Sequence, residues 1–344
     1  MREYELEILE QYDIKINGTQ KVRGAFFCDT NEGTMLLKET KMSDRRAPFF
    51  YKMLLQLRET DGFEVELPVK NKEDSFISIS KDGRKYMLKK WFVGRECDVH
   101  REKEMILAVK QLARLHNAMQ WKEEQELCAI SAGRHLKEEI LCHNRELKKV
   151  RSYIRGKVKK GKFEYLYLQY FEKMFEQAQN TIDKLEESEY ETLYKESLEQ
   201  KRLVHGDYNY HNILVLPERV VGNICLEEKE AELAVTGFEH FCMDVQVQDL
   251  YYFLRKVLEK YHWDVKVGDA LLKAYDSVRP LSKAELEFIA IRLSYPEKFW
   301  KTASGYYRSN KAWTSEKNVE KLFGTVAETE EKMKLLRNLF MLGL

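Results

Sequence analysis

Several features are scarce in this chain, and each shortage excludes a class of protein. Six of its 344 residues are cysteine and none form a Cys-x-x-Cys pair, so we expect neither a disulfide scaffold nor a zinc site. No uncharged stretch reaches about 18 residues, so no membrane span is expected. The N-terminal region is studded with charges, which excludes a secretory signal. These shortages together predict a cytoplasmic protein.

An excess of charge of one sign is also lacking. The chain has 58 lysines and arginines against 57 aspartates and glutamates. General nucleic-acid and membrane-surface binders usually have a lopsided charge, so neither partner is expected. One basic stretch, residues 145–162, holds nine basic residues and one acid, Glu146. Two interpretations stay open: a patch for nucleic acid, anionic lipid or an acidic partner, or, as we favour, a solvated helix and loop.

Before Trp91 the hydrophobic pattern predicts short strands separated by turns. The strand-like runs are residues 12–16, 24–28, 34–39, 76–80 and 86–92. Between the third and fourth runs, apolar residues at helical spacing predict one amphipathic helix at 45–57. This part of the chain therefore reads as a small β-rich lobe with a single helix.

After Trp91 the spacing changes to that of helices. The predicted helical segments are 99–119, 163–200, 248–261, 266–276, 282–292 and 316–340. The fold class is α+β, with a small antiparallel sheet lobe at 1–90, a hinge at 91–96 and a large, mainly helical lobe at 97–344.

The most informative motif lies at residues 203–215, where a polar loop joins two short apolar strands. It places Asp207 and Asn212 five residues apart. In phosphotransfer loops of this layout, an aspartate accepts the proton of the attacking hydroxyl, and an asparagine holds a metal ion on the nucleotide phosphates. Gly206 permits the unusual backbone angles of such a loop. The alternative is a polar turn that contains both residues by chance.

Further motifs follow in an order that is typical of one family. They are Gly33-Thr-Met-Leu-Leu-Lys38, Trp91-Phe-Val-Gly-Arg-Glu96, Leu112-Ala-Arg-Leu-His116, the loop His205 to Asn212, Asp249-Leu250, Tyr295-Pro-Glu-Lys-Phe-Trp300 and Tyr306-Tyr307. With these motifs the chain resembles the spore-coat CotS-type family of bacterial kinase-like proteins, which is similar in catalytic pattern to aminoglycoside phosphotransferases and choline kinases. The resemblance implies a bilobal protein-kinase-like fold.

The resemblance also implies roles for individual residues. Lys38 would contact the nucleotide phosphates, and Trp91 and Val93 would lie in the hinge that binds adenine. Asp207 would be the catalytic base and Asn212 a metal ligand. The supporting residues are His205, which would fix the loop, and Asp249, which would brace it. The usual ion-pair partner of such a lysine is a glutamate on the following helix. Here residues 41–57 contain only one acidic residue, Asp44.

One position departs from the family pattern. Where the relatives carry the main metal-binding aspartate, this chain has Gly237, in the run Val235-Thr-Gly-Phe-Glu239. Metal stabilisation of a transferring phosphoryl group is worth several kcal/mol, so its loss should slow turnover on the order of a thousandfold. Glu239 is a candidate replacement ligand, because residues two apart on a strand face the same way.

The sequence therefore predicts a degenerate, weak or inactive ATP-dependent phosphotransferase that serves in spore-coat assembly, with weak binding of ATP and Mg2+. Its partners would be spore-coat proteins, and it would lie in the cytoplasm or in the coat of an endospore-forming bacterium. The alternative is an active kinase that transfers phosphate from ATP to a small hydroxyl substrate. A third class, a nucleic-acid-binding module on residues 145–162, predicts steeply salt-dependent affinity.

Overall fold

The computed structural model describes residues 7–22, 24–121, 130–217, 231–309 and 316–340. The chain divides into two compact units. The first comprises residues 1–131 and 203–243, and the second comprises 132–202 and 244–344. The functional boundaries proposed above, with a hinge at 91–96, remain a prediction.

The first unit contains an antiparallel sheet with the strand order β1-β2-β3-β6-β5. Its strands are β1 Ile16–Val22, β2 Ala25–Thr30, β3 Gly33–Glu39, β5 Ser78–Ile79 and β6 Lys85–Lys90. Alternate residues of the central strands, such as Met35, Leu37 and Leu88, form a buried cluster on one face. The residues between them, including Lys38, belong to the opposite face.

A second sheet in this unit joins segments that are far apart in the sequence. Its strands, in spatial order, are β4 Glu64–Val65, β10 Leu233–Val235, β9 Ile213–Val215 and β7 Arg95–Glu96. A two-stranded pair is formed by β8 Leu203–Val204 and β11 Cys242–Met243. These pairings bring the ends of the 203–215 loop beside the strand that leads to Gly237.

Two α-helices of more than ten residues lie in the described part of the first unit. Helix α1 spans Ala47–Glu59 and buries Phe49, Phe50 and Leu57 on its apolar face. Helix α2 spans Glu102–Ala118. The prediction of one amphipathic helix within the N-terminal sheet is confirmed.

The second unit is helical throughout most of its described residues. Its helices are α3 Leu136–Gly156, α4 Lys162–Glu187, α5 Tyr190–Glu199, α6 Val247–Leu258, α7 Val265–Asp276, α8 Lys283–Ser294, α9 Glu297–Tyr307, α10 Glu316–Ala327 and α11 Thr329–Phe340. Local signals set some of the ends: Ser282 and Glu285 form a reciprocal capping box at the start of α8. None of the described helices is long and apolar enough to cross a membrane.

The predicted α+β class is confirmed, with two local corrections. The first strand begins at Ile16, because residues before it form turns and bury Tyr12. The segment 163–200 is two helices, interrupted where Ser188 adopts extended backbone, and the segment 316–340 is also two helices, Glu316–Ala327 and Thr329–Phe340. The basic stretch 145–162 is formed by the end of helix α3 and the loop after it, in agreement with the favoured interpretation, and Leu147, Val150 and Ile154 of the helix are buried.

Cys28, Cys97, Cys142 and Cys242 are free thiols. The remaining two cysteines lie outside the described residues.

Candidate functional site

The 203–215 loop is shaped by its glycine and by a short capped turn. Gly206 has a φ of 81°, and a Cβ there would lie 2.3 Å from the carbonyl oxygen of His240. Only glycine tolerates both conditions. Asn209 then accepts the N–H of His211 and caps the turn Tyr210–Asn212, which leads into β9. The loop conformation follows from residues within it.

His205 is fully buried beneath this loop, and both of its ring nitrogens have backbone partners. Nδ1 accepts the N–H of Asp207 at 3.1 Å, so Nε2 donates to the carbonyl of Thr236 at 2.9 Å. This pattern requires the neutral tautomer with its proton on Nε2. These two contacts fix the orientation of the imidazole ring, and the predicted role of His205 in fixing the loop remains a prediction.

The Asp207 carboxylate is held by two side-chain amides. Asn209 donates to Oδ1 and Asn212 donates to Oδ2, each at 3.0 Å. The same two amides donate to the Asp207 carbonyl at 2.9 Å. The Nδ2 group of Asn212 is thus directed at Asp207, and its amide oxygen is the atom that could bind a metal ion. Asn209 was not singled out from the sequence, although an Asn just before a turn is a common cap.

Gly237 lies against Asn212 and has a left-handed backbone, with a φ of 83°. A Cβ at this position would lie 2.7 Å from both Cγ and Nδ2 of Asn212. The Gly237 N–H donates to the Glu66 carboxylate at 2.9 Å. Residue 237 therefore supplies no side-chain oxygen, and an aspartate there would have to displace Asn212.

A buried ion-pair network stands beside Gly237, and two of its members were missed in the sequence. Parallel pairing of β4 with β10 aligns Val65 with Val235, which places Glu66 next to Gly237. Lys89 donates to Glu66 at 3.0 Å and also to Glu239. The side chains of Glu66 and Lys89 are 1% and 2% exposed.

Charge balance determines the protonation of this network. Burial would raise the pKa of Glu239, but the ammonium groups of Lys89 and Lys38 lower it to about 2. Burial and the neighbouring charge of Glu239 raise the pKa of Glu66. Burial would lower the pKa of Lys89, but Glu66 and Glu239 raise it. These contacts hold the pKa of Lys89 above its ordinary value, so the buried amine is protonated at neutral pH.

Lys38 reaches the same carboxylate from the neighbouring strand. In the β3–β6 register, Lys38 is opposite Met87 and Leu36 is opposite Lys89, so the two lysines are on one face. Lys38 Nζ lies 3.8 Å from Glu239 Oε1, and the lysine side chain is 49% exposed. Glu239 thus provides the acidic partner that was not found on α1.

The structure brings most of the predicted site residues into one chain of contacts. Lys38 contacts Glu239, two residues after Gly237, and Gly237 lies against Asn212, which contacts Asp207. The roles assigned to these residues remain predictions.

The hinge residues have a different environment. The Trp91 N–H donates to the Thr34 carbonyl, and its ring meets Phe27 edge-on at 6.1 Å. Val93 is 71% exposed. Gly94 passes close to β9, since a Cβ there would lie 2.8 Å from the Val215 carbonyl oxygen. Val93 is therefore accessible to a ligand, and Trp91 is anchored in the sheet.

Asp249 is buried in the first turn of α6, in the second compact unit. Its predicted role in bracing the loop stays a prediction.

These residues do not fit a family-type magnesium site. Mg2+ is usually held by carboxylates in near-octahedral geometry, but Gly237 has no carboxylate and Glu239 is paired with two ammonium groups. Among the described residues, no group of three or more His, Cys, Asp or Glu side chains is placed to hold a metal ion.

Comparisons with known proteins agree with this fold and with the motifs. The chain is similar to spore coat protein S of Bacillus subtilis (strain 168), with 25% identity over 346 residues, covering 97% of this chain and 93% of the relative. It superposes on the crystal structure of an aminoglycoside phosphotransferase from Alicyclobacillus acidocaldarius, with a TM-score of 0.79 and 16% identity, covering 98% of this chain and 95% of the other.

An amicoumacin kinase, solved with AMP-PNP and Ca2+, also matches with a TM-score of 0.61 and 13% identity, covering 97% of this chain and 94% of that one. At these identities the likeness shows the fold, which is that of kinase-like phosphotransferases. The family described as "Spore coat putative kinase YutH" matches residues 5–339. The predicted resemblance is thereby confirmed, and the chain belongs to this spore-coat family of kinase-like proteins.

Proposed function

We propose that this protein is a degenerate member of its kinase-like family, with weak or no phosphotransfer, and that it serves in assembly of the spore coat. The observation that carries the proposal is the Gly237 position. It lacks a carboxylate, and its contact with Asn212 leaves no room for one in the present geometry.

The other candidate ligands do not compensate. Glu239 is ion-paired with Lys38 and Lys89. Asn212 offers a neutral amide oxygen, which does not replace the negative charge of the missing carboxylate. Losing metal stabilisation of several kcal/mol slows phosphotransfer by about a thousandfold or more. ATP and Mg2+ would accordingly bind weakly.

Turnover is tested by phosphate release and transfer across a panel of sugars, amino alcohols and the protein itself. The matched control is Asp207→Asn, which keeps the size of the side chain but cannot accept a proton. We expect equal, background signals from the two proteins. A signal present in the parent and lost in Asp207→Asn would overturn the proposal.

The assembly role is tested in a sporulating host of this family. We expect a fluorescent fusion to concentrate at the spore coat, where its partners would be coat proteins, and to leave the cytoplasm. Coat defects in a deletion strain should be restored equally by the parent and by Asp207→Asn. Restoration by the parent alone would show that the coat needs the chemistry.

The second candidate is an active small-molecule kinase. One observation favours it: the carboxylate of Asp207 is oriented by two amides, as a base must be, and Lys38 and Asn212 belong to the same chain of contacts. In that case Asp207 would be the base for a hydroxyl substrate. Substrate-dependent ADP formation that is lost in Asp207→Asn would select this candidate.

A further inference from the structure

The buried network identifies a cation that belongs to the protein itself. Lys89 lies between Glu66 and Glu239, with side-chain nitrogen to oxygen contacts to both. The Lys89 ammonium neutralises one of the two carboxylates that it contacts. The ammonium of Lys38, 3.8 Å from Glu239, can neutralise the other. When both carboxylates are ionised, the four side chains carry no net charge in the absence of a metal ion.

We infer that the Lys89 ammonium takes the place of a divalent cation beside Glu239, and that this site binds the phosphate chain of a nucleoside triphosphate without a metal ion. The inference rests on the proposed function, since it explains how a family member without the Gly237 carboxylate could still hold a nucleotide. It specifies the ligand as the metal-free triphosphate.

Two features of the site support this assignment. A divalent ion at Glu239 would lie next to an ammonium that cannot leave, because the Lys89 side chain is 2% exposed and its aliphatic part is enclosed by the protein. Its Nζ also lies 5.5 Å from the ring centre of Phe50, on α1. A bound Mg2+ would have to compete with this fixed charge for the Glu239 carboxylate.

Lys38 is the group that remains for the phosphates. Its ammonium is near the carboxylate but half-exposed, so it can reach a ligand without breaking a buried contact. Strands β1 and β2 remain paired as far as Val22 and Ala25, at the end of their hairpin. Phosphate binding would depend on Lys38, while the ammonium of Lys89 would balance the charge of the Glu239 carboxylate.

The test is calorimetric titration of the full chain with ATP and with inorganic tripolyphosphate, in EDTA and in MgCl2. We expect the dissociation constant of each ligand in EDTA to equal that in MgCl2 within about twofold, or to be lower. Lys38→Met should weaken binding by at least about tenfold in both buffers, because the exposed cation is lost.

The Lys89→Met variant tests whether the Lys89 ammonium supports phosphate binding or only stabilises the fold. It leaves the Glu239 carboxylate less balanced, so binding in EDTA should weaken about tenfold and MgCl2 should restore it. The matched control is Lys90→Met, on the same strand but exposed and on the other face, which should behave like the parent. If Lys89→Met does not fold, Lys89→Met with Glu66→Gln removes one charge of each sign and is measured instead, with the same expectation.

Three results would overturn the inference: parent binding at least tenfold tighter with MgCl2 than with EDTA, no binding in either buffer, or binding of ATP but not of tripolyphosphate in EDTA. A Lys89 variant that folds and titrates like Lys90→Met would do so as well. The turnover assay is independent of these outcomes. Metal-free binding together with turnover would contradict the degenerate function and leave this inference standing. If neither binding nor turnover is found, the inference fails and the degenerate function stands.

Discussion

The carboxylate of Glu66 accepts the backbone N–H of Gly237 at 2.9 Å, although 171 positions separate the two residues in the chain. The contact exists because β4 and β10 pair in parallel, and it ties the position of the missing metal ligand to the buried Lys89 network.

Gly237→Ala should lower the free energy of unfolding by more than a left-handed backbone alone explains. The left-handed conformation costs a residue with a Cβ roughly 1–2 kcal/mol, and the new Cβ also meets Asn212. The matched control is Gly24→Ala, which has a φ of 82° and open space around the Cβ. Urea unfolding of both variants measures the difference. Equal losses would mean that Asn212 moves aside freely.

Lys89→Met should destabilise the protein by about 3–5 kcal/mol, because removing one member of a buried ion pair leaves its partners uncompensated. Lys85→Met, on the same strand, breaks only an exposed pair with Asp44 and should cost about 0–1 kcal/mol. Chemical denaturation of the two variants at neutral pH compares them. A loss below about 1 kcal/mol for Lys89→Met would contradict the buried network.

Glu239 should make the protein sensitive to acid. Its pKa is about 2 in the folded state, lowered by Lys89 and Lys38 against the effect of burial, and about 4.3 in an unfolded chain. Its stabilising contribution is therefore present above about pH 4.3 and is lost as the pH falls towards 2. Between pH 5 and pH 3, the parent should lose on the order of 1–3 kcal/mol more than Glu239→Gln.

This acid sensitivity is measured by urea unfolding at several pH values. Glu32→Gln, on the exposed turn before β3, serves as the control and should follow the parent. A parent and a Glu239→Gln variant with parallel pH profiles would show that the carboxylate gains nothing from its two lysines.

Lys332 should make the stability of the second unit depend on pH in a more alkaline range. Burial lowers its pKa to about 7, and it donates to the carbonyls of Ser294 and Tyr295. An unfolded lysine has a pKa near 10.4, so the unfolded state binds more protons between these values and stability should rise with pH there. Lys332→Met should flatten that rise by up to a few kcal/mol.

The same unfolding series between pH 6 and pH 10 tests this expectation. Lys334→Met, exposed on the same helix, should retain the slope of the parent. If Lys332→Met retained it too, the ammonium would be hydrated despite its burial.

The catalytic-type loop could be predicted because its determinants are local. The turn geometry depends on Gly206, the cap of Asn209 and the five-residue spacing of Asp207 and Asn212, all within one short segment. The substitution at Gly237 was equally visible, because a side chain is present or absent whatever the fold. The α1 helix was predicted from its periodic apolar residues, which its packing then buries.

Other parts could not be read locally. The first part of helix α3, from Leu136 to residue 144, was not predicted, because its many charged residues obscure the helical period. Glu66 and Lys89 gave no motif, because one acid and one lysine in apolar strands are commonly solvated surface residues.

The sequence by itself thus determined the family, the α+β class, the loop with Asp207 and Asn212, and the missing carboxylate at Gly237. Only the tertiary structure decided that Glu239 is bound by Lys89 and Lys38, and that Asn212 fills the space beside Gly237. The physical reason is the sequence separation of the interacting residues. Backbone angles and helix caps depend on neighbouring residues, whereas the charge balance of a buried site depends on strand pairing between distant segments.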